Sequence, residues 1–87
     1  LEHPWADPQT IAGAIADDIL FDGHTALPAL RQTWGAALSV TDEEMIAAQT
    51  ELARAEGLLC EIATASAIAA VPKLPLLENN TTVCCIV

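Results

Sequence analysis

The sequence predicts an α/β arrangement, part of a three-layer domain built on a mostly parallel sheet. Three observations carry that expectation. The apolar pattern runs helix, helix, strand, helix, helix, strand along the chain. Residues 63–74 are small and apolar on every side apart from Thr64, Ser66 and Lys73, so this helix needs neighbours around most of its surface. Thr81 to Val87 is a β-prone run of the kind that fills a strand buried on both faces.

The elements follow in order. Asp7-Pro8 is a helix-start signal, and Ile11, Ala12, Ile15, Ala16 and Ile19 recur at helical spacing, interrupted by Gly13. Asp17 to Gly23 then leads into a turn. Thr25 suits the cap of a short second helix through Leu27 and Leu30 to about Trp34, with Gly35 ending it. Ala36 to Val40 reads as a strand. Thr41-Asp42-Glu43-Glu44 is the clearest local signal: a capping box with an acidic first turn. The helix it opens, Asp42 to about Glu56, turns Met45, Ala48, Leu52 and Ala55 inward. Glu43, Gln49 and Glu51 face water, with Glu51 able to pair with Arg54. Gly57 closes it, and Leu58 to Glu61 is an extended link. Pro72 and Pro75 stop the buried helix, and Glu78 to Asn80 makes a turn.

Composition narrows the function classes. Twelve carboxylates against three cations give a net charge of −9, the wrong sign for a nucleic-acid or anionic-membrane surface. The longest uncharged stretch, Ile62 to Pro72, is far shorter than the roughly 20 apolar residues that cross a bilayer. Hydrophobic residues make up 53% of the chain, too many for a disordered segment. A chain of 87 residues holds one small domain at most, and a domain of this size is marginal without a staple or a partner. With only Trp5, Phe21 and Trp34 as large rings, residues 1–87 are expected to be a fragment of a larger, enzyme-sized chain, not an autonomous domain. Three cysteines without a C-x-x-C pair or a histidine cluster read as buried, reduced thiols of a cytoplasmic protein, and no metal site is expected.

Several segments together resemble a known family. Thr10-Ile11-Ala12-Gly13-Ala14-Ile15 is similar to T-I-A-x-A/G-I. Ala29 to Gly35 followed by Val40 to Met45 resembles A-L-R-x-x-x-G and then V-S/T-D-E-E-I. Glu56 to Glu61 resembles E-G-I-F-x-E, the Ala-rich helix resembles P-A-S/G-A-A, and Val83 to Val87 is similar to a core strand V-V-C-V-L. Their order and spacing carry the match to the tryptophan-synthase-β-like (fold type II) pyridoxal-phosphate enzymes, with threonine synthases nearest. Serine/threonine dehydratases and diaminopropionate ammonia-lyases share the architecture. Two departures stand out: Ile62 replaces the proline that often follows the matching glutamate, and Pro72 shortens the helix.

The resemblance implies a pyridoxal-phosphate lyase that acts on a small amino-acid substrate and is completed by the remainder of a longer chain, the parent being a homodimer. It implies that the cofactor-bearing lysine, the phosphate loop and a Ser/Thr-Gly following Val87 lie outside these residues. No catalytic residue is therefore expected here. Glu61 and Thr64 are the candidate cofactor-side groups, with Ser66 a weaker one. Lys73, the sole lysine, is read as a solvated side chain at a helix C-terminus. His3 and His24 are isolated, Asp17, Asp18 and Asp22 form a solvated turn, and Trp34 is a packing anchor. A different class remains open, an independent acidic interaction module whose apolar helix faces meet a partner.

Overall fold

The computed structural model describes residues 6–19, 21–74 and 81–87. Expectations for His3, Trp5, Pro75 and the turn at 78–80 lie outside the described residues. Among the described residues there are three α-helices: α1 (Gly23–Gln32), α2 (Asp42–Glu56) and α3 (Ile62–Ala70). Short 3-10 turns run over Gly13–Ile15 and Val71–Lys73.

Helix α2 forms as its sequence dictates. The Thr41 hydroxyl accepts from the Glu44 amide at 3.1 Å, and Glu44 accepts from the Thr41 amide at 2.8 Å, a complete capping box. At the other end Gly57 adopts φ 68°, the left-handed geometry that costs glycine nothing, and its amide reaches the Ala53 carbonyl. The link from Leu58 leads to α3, where every residue is buried or half-buried, as expected for a helix without a polar face. Helices α2 and α3 make the main packing contact among the described residues. Ala12, Met45 and Ala63 form the core cluster, with Val40 and Ile62 against it. Small residues at these positions let the backbones approach closely.

The first expected helix is not there. Between Thr10 and Ile19 only Gly13–Ile15 forms a 3-10 turn, and Asp7 sits at φ 52°, unsuited to capping a helix. Side chains have taken the amides that a helix would use. Thr10 Oγ1 accepts from the Ala12 amide, Asp42 Oδ2 from the Ile11 amide, and Asp17 Oδ1 from the amides of Asp18 and Ile19. Of the apolar residues at helical spacing, Ala12 is buried while Ile11, Ile15 and Ile19 are exposed.

Helix α1 begins at Gly23 with Asp22 as its N-cap, so Thr25 lies inside the first turn and donates back to the Asp22 carbonyl. No other helix of the described residues packs against it. It ends in a Schellman arrangement, the Gly35 amide bonding the Leu30 carbonyl at 2.8 Å. Trp34 occupies the left-handed position of that motif at φ 57° and is 95% exposed, so it is not the packing anchor expected from the sequence. Residues 36–40 and 81–87, expected as strands, have no paired strand among the described residues. A strand exists only through its ladder of hydrogen bonds to a neighbour.

Candidate functional site

Residues 11–14 and 61–63 face each other across an open cavity of about 190 Å³. One wall is the loop after Thr10; the other is the start of α3. Each wall has its own support. Asp42, the first residue of α2, accepts from the Thr10 hydroxyl at 2.5 Å and from the Ile11 amide at 3.2 Å, while Ala12 is locked in the core beside Met45 and Ala63. On the opposite wall, Gln49 Nε2 donates to the Cys60 carbonyl at 2.7 Å and fixes the link that delivers Glu61. Gln49 is thus half-buried and engaged, where the helical pattern placed it in water.

Glu61 is the N-cap of α3, yet its carboxylate makes no hydrogen bond to its own helix. It lines the cavity and is exposed. The first hydrogen bond of the helical ladder is Ala65 amide to Glu61 carbonyl, so the amides of Ile62, Ala63 and Thr64 precede the ladder. Thr64 is half-buried one residue beyond the cavity wall. Ser66 is spoken for: its hydroxyl donates to the Ala63 carbonyl at 2.6 Å, the back-bonding expected of a hydroxyl early in a helix.

Lys73 is exposed near the end of the α3 segment, as expected, but it is not without partners. Its ammonium donates to the Ser39 carbonyl at 2.7 Å and to Glu44 Oε1 at 2.8 Å. That ammonium, with the Thr41 amide, holds the Glu44 carboxyl below the usual carboxylate value. The expected Glu51–Arg54 pair is not formed among the described residues, both side chains being solvated. His24 lies 3.9 Å from Asp22, both well exposed. Asp17 closes a local turn. Cys60 and Cys85 are half-buried and Cys84 is exposed, all as free thiols, so burial of the thiols is at most partial. Among the described residues no group of three or more metal-ligating side chains converges, and no helix is long and apolar enough to cross a membrane.

The cavity is open and offers a partly apolar wall rather than an enclosure. Here Ile11, Ala12, Ala14, Ile62 and Ala63 supply apolar wall, and Glu61 supplies one acceptor at the rim. At Gly13 a side chain would meet nothing, so the loop itself leaves space. Pyridoxal phosphate has the ring for such a wall; its phosphate needs donors beyond those at this cavity.

Comparisons with known proteins agree with this chemistry. The family model described as "Pyridoxal-phosphate dependent enzyme" matches residues 1–87. A protein named threonine synthase from Methanosarcina acetivorans is 42% identical over 86 residues, covering 95% of this chain and 21% of the relative. Threonine synthases from Methanocaldococcus jannaschii and Mycobacterium leprae are 45% identical over 71 residues and 41% identical over 73. These cover 82% and 84% of this chain, and 18% and 20% of the relatives. The chain thus spans about one fifth of the length of the curated relatives it matches. Because the family model covers every residue, the chain belongs to the pyridoxal-phosphate dependent enzymes, and pyridoxal phosphate is the cofactor.

Proposed function

We propose that these residues are part of the catalytic domain of a pyridoxal-phosphate lyase of the threonine synthase type, converting O-phosphohomoserine to threonine. The observation that carries this reading is the 38–45% identity to proteins named threonine synthase, sustained over most of the chain. In this reading residues 36–40 and 81–87 join a mostly parallel sheet whose other strands belong to the remainder of a longer, homodimeric cytoplasmic chain. Sheet neighbours would also cover Leu38, Val83 and Ile86, which are exposed here.

When bound, the cofactor supplies the electron sink for carbanion chemistry on the amino-acid substrate. The work of this chain is to hold and orient it. Glu61 offers a carboxylate at the mouth of the cavity, Thr64 a hydroxyl one turn into α3, and the wall of Ile11, Ala12, Ile62 and Ala63 excludes water from one side of the ring. Lys73 is no candidate to carry the cofactor, because its amine is committed to Ser39 and Glu44 and is absent from the cavity wall. The lysine that does so lies elsewhere in the longer chain.

The test is to incubate the full-length protein with pyridoxal phosphate and O-phosphohomoserine and follow threonine and phosphate. Release of equal amounts of both is expected. Ammonia release from serine or threonine, with O-phosphohomoserine inert, would instead assign a dehydratase.

A further inference from the structure

We propose that Asp42 is a positioning residue for the cofactor: it ties the start of α2 to the loop that forms one wall of the cavity. The inference rests on the cofactor reading of that cavity and adds a residue outside it. Asp42 is absent from the cavity lining, yet both of its carboxylate oxygens are engaged by the loop. Oδ1 accepts from the Thr10 hydroxyl at 2.5 Å and Oδ2 from the Ile11 amide at 3.2 Å. With its proton given to Asp42, Thr10 Oγ1 turns a lone pair to the Ala12 amide at 3.1 Å. One carboxylate thereby organises three consecutive residues, and the next ones, Gly13 and Ala14, form the wall facing Glu61.

The chemistry calls for a carboxylate at this point. The loop offers a hydroxyl and an amide as donors, and two acceptor oxygens on one rigid group meet both at once. Ala12 has almost no exposed surface and packs with Met45 and Ala63, so a loop fixed at Ile11 and Ala12 is fixed relative to α3 as well. The distance across the cavity is then set by Asp42 from one side and by the Gln49 bond from the other. Glu43, next in sequence, is exposed and does not line the cavity, although it contributes a like charge to the same helical turn.

That neighbour makes the control. In the full-length protein, Asp42→Ala, Asp42→Asn and Glu43→Ala are compared by titration with pyridoxal phosphate, read from cofactor absorbance, and by hydrogen exchange of the Ile11 and Ala12 amides without cofactor. Asp42→Ala should weaken cofactor binding about tenfold or more, the scale on which a displaced supporting group acts. It should also speed exchange at both amides. Asp42→Asn, which keeps one acceptor and folds if the alanine variant does not, should fall between Asp42→Ala and wild type. Glu43→Ala should match wild type in both readouts. Cofactor affinity in the Asp42 variants equal to that of Glu43→Ala overturns the positioning role, whether or not the amides exchange faster. A wild-type protein that binds no pyridoxal phosphate overturns the cofactor reading itself and the proposal with it.

Discussion

The Lys73 ammonium lies 2.8 Å from Glu44 Oε1, joining the end of the α3 segment to the same carboxylate that completes the cap of α2. Glu44 serves two partners, one local and one distant, and both favour its ionised form. Its folded-state pKa is depressed, so its contribution to stability is complete above the unfolded value of about 4.3 and is lost as pH falls through the lower folded value. Lys73→Met should therefore lower the denaturation midpoint of the full-length protein slightly at pH 7, and by less in high salt. The gap from wild type should narrow as pH drops from 5 to 3. Denaturant titrations of both proteins across that range check it, and a pH-independent gap would contradict it.

Thr41 carries the local half of the same arrangement. Thr41→Ala removes the acceptor of the Glu44 amide while leaving the backbone free to form α2. A loss of about 1 kcal/mol is expected, the usual scale for an N-cap hydroxyl. Thr41→Ser should recover most of it. Both are read from chemical denaturation midpoints at constant m-value.

What could be read from the sequence was what neighbouring residues decide. The Thr41–Glu44 box and the glycine that ends α2 depend on contacts within a few positions, and the burial of α3 showed in its lack of a polar face. The failures share a different cause. Thr10 to Ile19 has helical spacing, but Asp42, more than thirty residues away, claims the Ile11 amide, and no periodicity reports that. Gln49 and Lys73 look like ordinary polar side chains until Cys60 and Ser39 come within reach. At the site, Glu61 could be singled out through its place in a family-like segment. Residues 11–14 also lie in a family-like segment, but that they form the opposite wall could not be read, because only the tertiary fold brings them across from α3.

Met45 is the one sizeable side chain in the core cluster, and its neighbours Ala12 and Ala63 belong to the two walls of the cavity. Truncation to alanine leaves a void between small residues that cannot fill it. Met45→Ala should destabilise by about 2–3 kcal/mol, within the range for buried methionine. Met45→Leu, close in volume, should cost less than about 1.5 kcal/mol. Thermal unfolding of the full-length protein measures both. Because the void opens between the walls, cofactor affinity should fall in the alanine variant and hold in the leucine variant.

Gly57 and Trp34 both sit in left-handed backbone, at φ 68° and 57°, beyond the ends of α2 and α1. The two positions make opposite predictions. A side chain at Gly57 would meet no atom within 4 Å, so the cost of Gly57→Ala is backbone strain alone, about 1 kcal/mol. At Trp34 that strain is already present, and the indole is 95% exposed, with nothing among the described residues to offset it. Trp34→Gly should accordingly stabilise the α1 terminus by about 1 kcal/mol wherever the indole stays in water. In the longer protein a contact over the ring would reverse that sign, since burial of so large an aromatic outweighs the strain. Comparing the unfolding midpoints of the two variants, with Trp34 fluorescence taken as the difference spectrum between wild type and Trp34→Phe, decides between them. A blue-shifted indole with a destabilising Trp34→Gly means that the rest of the chain covers α1; a red-shifted indole with a stabilising one means that this surface stays bare.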